Sequence, residues 1–161
     1  MKELFSSEEW SSLLEVPYLV FTYIAGIDGN TDKKEIDAFN QFCKARNRFN
    51  SKLLKEILPD NPSEYLKYHQ STDISKNTIK EKLRNVDLLL DLKADRSDSV
   101  SFKHHLIAMG RFVADSSGKM FSPKMSDEEE DAIHQIGKFI DIDAYKLFKT
   151  TMVDEILKHI E

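Results

Sequence analysis

The stretch Ala25-Gly26-Ile27-Asp28-Gly29-Asn30-Thr31-Asp32-Lys33-Lys34-Glu35 is an acidic, glycine-bearing turn between two apolar helical runs. Before it, residues 18–25 are almost wholly apolar, which marks a central, buried helix. After it, Ile36, Phe39, Phe42, Cys43 and Phe49 form one apolar stripe. A weaker copy of the turn occurs later, as Ala114-Asp115-Ser116-Ser117-Gly118 followed by Ser126-Asp127-Glu128-Glu129. Ala25 aligns with Ala114, Asp28 with Ser117, Gly29 with Gly118, Asp32 with Ser126 and Glu35 with Glu129; Phe39 and Phe42 then align with Ile133 and Ile136. Two helix–turn–helix units that cannot each bury a full face are expected to pack on one another. The fold expected is all-α, a compact helical bundle of about seven to nine helices in a single domain. Its two related helix–turn–helix repeats would span about 10–58 and 98–160 of the 161 residues.

The composition agrees with a helical protein. Glycine (5) and proline (4) are scarce, and 32% of the residues are charged. A chain of this length buries roughly 70% of its unfolded surface, enough for a core without staples. Its net charge of −5 opposes the phosphate backbone, so no nucleic-acid partner is expected. The basic run Lys44, Arg46, Arg48, Lys52 and Lys55 is read as a solvated face. Acids arrive at once after Met1, and the most apolar window, residues 16–25, is shorter than the ~20 residues a membrane span needs. Neither a signal peptide nor a transmembrane segment is expected, and a cytoplasmic setting is. Cys43 is the single cysteine; on the Phe39–Phe42 stripe it reads as a buried, inert thiol.

Periodicity places the remaining helices. Ser7 with Glu8, Glu9 and Trp10 opens a first helix, and Pro17 is placed where a second begins, because a first helical residue needs no N–H. Ser51 caps a short helix that runs to Leu58, the chain breaks at Pro59-Asp60-Asn61-Pro62, and residues 63–69 form another short helix. Ile79, Leu83, Val86 and Leu90 mark a long amphipathic helix that Asp95-Arg96-Ser97-Asp98 ends. Phe102, Leu106, Met109, Phe112 and Val113 mark the next, Ile133, Ile136 and Ile140 another, and Leu147, Phe148, Met152, Ile156 and Ile160 the last. No sustained alternation of period two occurs, so no sheet is expected.

The acidic turn has two readings. Asp32-x-x-Glu35 and Ser126-x-x-Glu129 match a capping box, in which the cap oxygen takes the third residue's N–H and the glutamate returns to the cap N–H. Alternatively Asp28, Asp32 and Glu35, with loop carbonyls, offer oxygen ligands that suit Ca²⁺ or Mg²⁺. A standard EF-hand is excluded. With Glu35 as the twelfth ligand position, the first and third would be Ile24 and Gly26, which carry no side-chain oxygen. Asp28 lies outside the capping pair, so a site claim rests chiefly on it. In the second turn Ser117 replaces Asp28, with Asp115 or Asp127 as compensating acids.

An apolar helix followed by Ala-x-x-Asp-Gly-x-x-Asp-x-x-Glu opening a second apolar helix resembles the tellurite-resistance TerB family, which is related in fold to the N-terminal domain of the co-chaperone DjlA. The resemblance covers residues 10–160. It implies a bacterial, cytoplasmic, non-enzymatic module that acts in tellurite and other stress resistance. It also implies protein partners, other Ter-type proteins among them, and peripheral association with the membrane. On the matching residues it implies a metal or partner role for Asp28, Asp32 and Glu35. No J-domain His-Pro-Asp tripeptide is present.

Two other classes stay open beside this one. The first is an enzyme with a cryptic pocket in the bundle, which would need a deep polar pocket lined by His105 or Cys43. The second is a purely structural bundle that binds protein through its basic face. A ferritin-like di-iron centre is not expected, because no Glu-x-x-His occurs; Asp131-x-x-His134 is the nearest approach. No Walker A loop or GxGxxG fingerprint supports nucleotide binding.

Overall fold

The computed structural model describes residues 1–27, 31–70, 73–117 and 125–160; of Ser117, only the backbone is described. The chain is an all-α bundle with no strand among the described residues. Its helices are α1 (Ser7–Ala25), α2 (Lys33–Lys44), α3 (Lys52–Ile57), α4 (Pro62–Gln70), α5 (Lys76–Lys93), α6 (Arg96–Ser117), α7 (Asp127–Phe139), α8 (Ala144–Phe148) and α9 (Met152–Leu157). Short 3₁₀ turns cover Lys2–Leu4 and Arg46–Arg48.

The helix α6 is the axis of the bundle, packed on α1, α2, α3, α7 and α9. It can be central because its apolar residues occupy more than one face: Phe102, Leu106, Ile107, Ala108, Met109, Val113 and Ala114 are all buried. The run at 18–25 is buried as its composition requires, with Tyr18, Leu19, Val20, Phe21, Ile24 and Ala25 in the core. Phe21 meets Phe39 of α2 with ring centroids 5.0 Å apart, and Phe42 meets Phe49 at 4.7 Å. The stripe Ile79, Leu83, Val86 and Leu90 is the buried face of α5.

Four boundaries differ from the sequence expectation. The helix expected to begin at Pro17 is continuous with the one before it, so α1 carries Pro17 inside. Ser6, rather than Ser7, caps α1, through a capping box with Glu9. The segment expected to end α5 at 95–98 instead opens α6, and Asp98 turns across to α3: its two carboxylate oxygens accept the Lys52 amide at 2.6 Å and the Leu53 amide at 3.0 Å. These are orphan donors at a helix start, where a carboxylate also meets the favourable end of the dipole. The last expected helix is divided in two, α8 and α9, because Thr150 stands between them and its hydroxyl donates to the Leu147 carbonyl.

The corner from α7 to α8 needs a glycine. A Cβ on Gly137 would lie 2.6 Å from the Ile142 carbonyl oxygen. The Ile142 amide returns to the Gly137 carbonyl at 2.8 Å, and Asp141 between them has φ of 52°. This is the long bond and left-handed residue of a Schellman ending, with aspartate where glycine is commoner.

Candidate functional site

The acidic turn enters α2 through a complete capping box. The Asp32 carboxylate accepts the Glu35 amide at 2.9 Å, and the Glu35 carboxylate accepts the Asp32 amide at 2.8 Å. Glu35 is 4% exposed, so its charge is held inside the bundle by its place at the helix start. The second turn enters α7 in the same way: Ser126 Oγ accepts the Glu129 amide at 3.2 Å, and Glu129 accepts the Ser126 amide at 2.7 Å. Glu129 is buried too. The structure thus brings Asp32 and Glu35 together as a cap. Asp28 lies outside the described residues, as do the Ser117 side chain and Gly118. Asp115 pairs with Arg111 along α6 at 3.6 Å, and Asp127 is exposed in the first turn of α7. Among the described residues, no group of three His, Cys, Asp or Glu side chains is placed to hold a metal ion.

Cys43 is buried on α2, and burial pushes its thiol above the ordinary cysteine range. The thiolate is therefore scarce at neutral pH, and the residue behaves as a small core hydrophobe. The basic run does not form one helix face. Arg46 donates to the Leu58 carbonyl at 2.9 Å and pairs with Asp60, while Arg48 donates to the His159 carbonyl at 2.9 Å. Two of its five cations thus close the bundle rather than wait for a partner.

One histidine-lined cavity lies under α9. It measures about 290 Å³, and its walls include Ser101, His104, His105, Met152, Glu155 and His159. His105 is 2% exposed, its ring lies 4.9 Å from that of Phe49, and its Nδ1 sits 2.7 Å from the Ser101 carbonyl oxygen. A carbonyl only accepts, so Nδ1 carries the proton and Nε2 keeps the lone pair of the neutral ring. Burial lowers the basicity of His105, and of the half-buried His104 as well. Such an imidazole is a hydrogen-bond acceptor or a proton acceptor. Spacing alone did not reveal this cluster, because His159 reaches it only after α9 packs back on α6. His105 was the visible half of the signal.

Compared with protein-family models, with curated proteins and with solved structures, the chain matches none.

The outer surface carries a different signal. Leu88 and Leu92, one turn apart on α5, are 61% and 83% exposed, although α5 buries four other apolar residues. Tyr68 on α4 is 76% exposed. Among the described residues, no helix is long and apolar enough to cross a membrane.

Proposed function

We propose that this chain is a non-enzymatic helical module of TerB type, assembled from two related helix–turn–helix repeats, that works in the bacterial cytoplasm by binding a protein of the tellurite or stress response. The observation that carries the reading is the exposed pair Leu88 and Leu92. Leucines one turn apart on an otherwise polar helix face suit an apolar partner surface, since binding helices are read at such spacings. The capping duty of Asp32 and Glu35 and the burial of Cys43 support the non-enzymatic part. The acidic turn takes a secondary role: Asp28, with Asp32 and Glu35, would receive Ca²⁺, Mg²⁺ or a basic partner segment. The test is complementation. A strain that lacks the gene should lose tellurite or stress tolerance, the wild-type gene should restore it, and a Leu88→Glu/Leu92→Glu gene should not, although its product folds. Full restoration by the double variant would refute the reading.

A second reading, an enzyme with its pocket in the bundle, is favoured by one observation, the cavity lined by His105. In that role His105 would accept a proton through Nε2. Loss of a turnover activity in His105→Gln, with the fold retained, would move the reading to this class.

A further inference from the structure

The helix α9 is six residues long and forms one wall of the histidine cavity beside α6. Its apolar anchors are Val153 and Ile156, both buried. At its edges Arg111 of α6 reaches Asp154 at 3.2 Å, and Arg48 holds the His159 carbonyl in the turn that follows. A helix this short has little stability of its own and stays helical through its docking. A short element held only by its docking is the kind that opens before the core does.

The groups that face His105 include two carboxylates, each held by hydrogen bonds elsewhere and neither in ion-pair contact with the imidazole. On α6 the facing groups are His104, Asp98 and the Ser101 carbonyl. The Asp98 carboxylate is already committed to the Lys52 and Leu53 amides at the start of α3. On α9 the facing group is Glu155, whose carboxylate accepts the Thr151 hydroxyl at 3.1 Å. Beyond α9 it is His159, whose backbone carbonyl accepts from Arg48. Among the described residues, none of His104, His105 and His159 makes an ion pair with a carboxylate. A proton on His105 would create a buried cation beside two further imidazoles, offset only in part by the charge of Asp98. Burying an unpaired charge is costly, and the open form, in water, does not bear that cost.

We propose that α9 is a pH-sensitive latch: protonation of His105, with His104 and His159 beside it, releases α9 from α6 and opens the cavity and the apolar wall beneath it. The sign follows from linkage. The closed form holds His105 and His104 less basic than they are in water, so it binds fewer protons than the open form. The closed form is fully favoured above the ordinary histidine value of about 6.5. As the pH falls below that value it loses up to about tenfold in the closing equilibrium per pH unit for each histidine that stays neutral when closed. His69, whose basicity burial also lowers, lies far from α9 against Tyr18 and Tyr65, and serves as an internal control.

Amide hydrogen exchange of the full chain at neutral and mildly acidic pH, corrected for intrinsic exchange, tests the latch. Amides of α9 should lose tenfold or more protection on acidification, while those of α1 and the middle of α6 keep theirs. His105→Gln should remove that loss. Unchanged α9 protection, loss that spreads equally to all helices, or acid sensitivity that persists in His105→Gln would each overturn the proposal. Should His105→Gln fail to fold, the wild-type imidazole resonances decide the matter. The His105 titration must share its midpoint with the shifts of the α9 amides, and separate midpoints overturn the proposal.

Discussion

The Tyr65 hydroxyl stands between two backbone groups of α1, donating to the Leu14 carbonyl at 2.8 Å and accepting from the Tyr18 amide at 3.0 Å. An α-helix would pair that carbonyl and that amide directly. Pro17 lies between them in sequence; its ring has no N–H and crowds the preceding turn, which opens the ladder. A side chain of α4 thus repairs α1 at its proline, and this explains why one helix runs where two were expected. Burial pushes the Tyr65 phenol well above its usual range, so it stays a donor at any working pH.

Tyr65→Phe should destabilise the protein by about 1–2 kcal/mol, since it leaves two backbone groups without their bridging partner. In the Pro17→Ala background the ladder can close, and the same change should cost markedly less. A double-mutant cycle by urea unfolding reads the coupling directly. Equal costs in both backgrounds would mean that the hydroxyl does not serve the proline gap.

The capping boxes should behave as caps. Asp32→Ala and Ser126→Ala should each lower stability by about 1 kcal/mol, the usual size of a lost N-cap. Asp28→Ala should leave stability nearly unchanged, because Asp28 stands outside the cap. A calcium or magnesium titration followed by NMR then separates the roles. Shifts near the acidic turn that vanish in Asp28→Ala support the cation reading; none at millimolar ion leaves Asp32 and Glu35 with capping alone.

Two helical glycines should respond with opposite signs. A Cβ on Gly110 meets Ile133 and Ile24 at 3.6 Å, an ordinary contact, so Gly110→Ala should gain up to about 1 kcal/mol from helix propensity. Gly137→Ala forces a Cβ to within 2.6 Å of the Ile142 carbonyl oxygen, so the α7–α8 corner must shift and stability must fall. Thermal unfolding of the two variants is sufficient; a stabilised Gly137→Ala would show that the corner is looser than its hydrogen bonds indicate.

Much of the fold was legible in the chain. Apolar spacing located α2, α5 and α6, Ser51 announced α3, and Asp32-x-x-Glu35 and Ser126-x-x-Glu129 announced the starts of α2 and α7. These are local signals, carried by residues within a turn or two of each other. What was missed depends on partners far apart in sequence. Pro17 looked like a helix start because its rescuer, Tyr65, is 47 residues from Tyr18. Asp98 looked like a breaker because the amides it caps belong to α3. The histidine cavity was half visible, for its other wall arrives with α9. The exposed Leu88 and Leu92 escaped notice because periodicity counts the apolar residues that a helix face buries, and these two stand off that face.

The partner-binding role of α5 is tested most directly by photo-crosslinking in the source cell, with a photoreactive residue at position 92 and a control at the exposed position 67. A discrete protein adduct at 92, absent at 67 and absent when Leu88→Glu is also present, is the expected result. Adducts that are equally frequent at both positions, or unaffected by Leu88→Glu, would contradict a docking role for the α5 leucines.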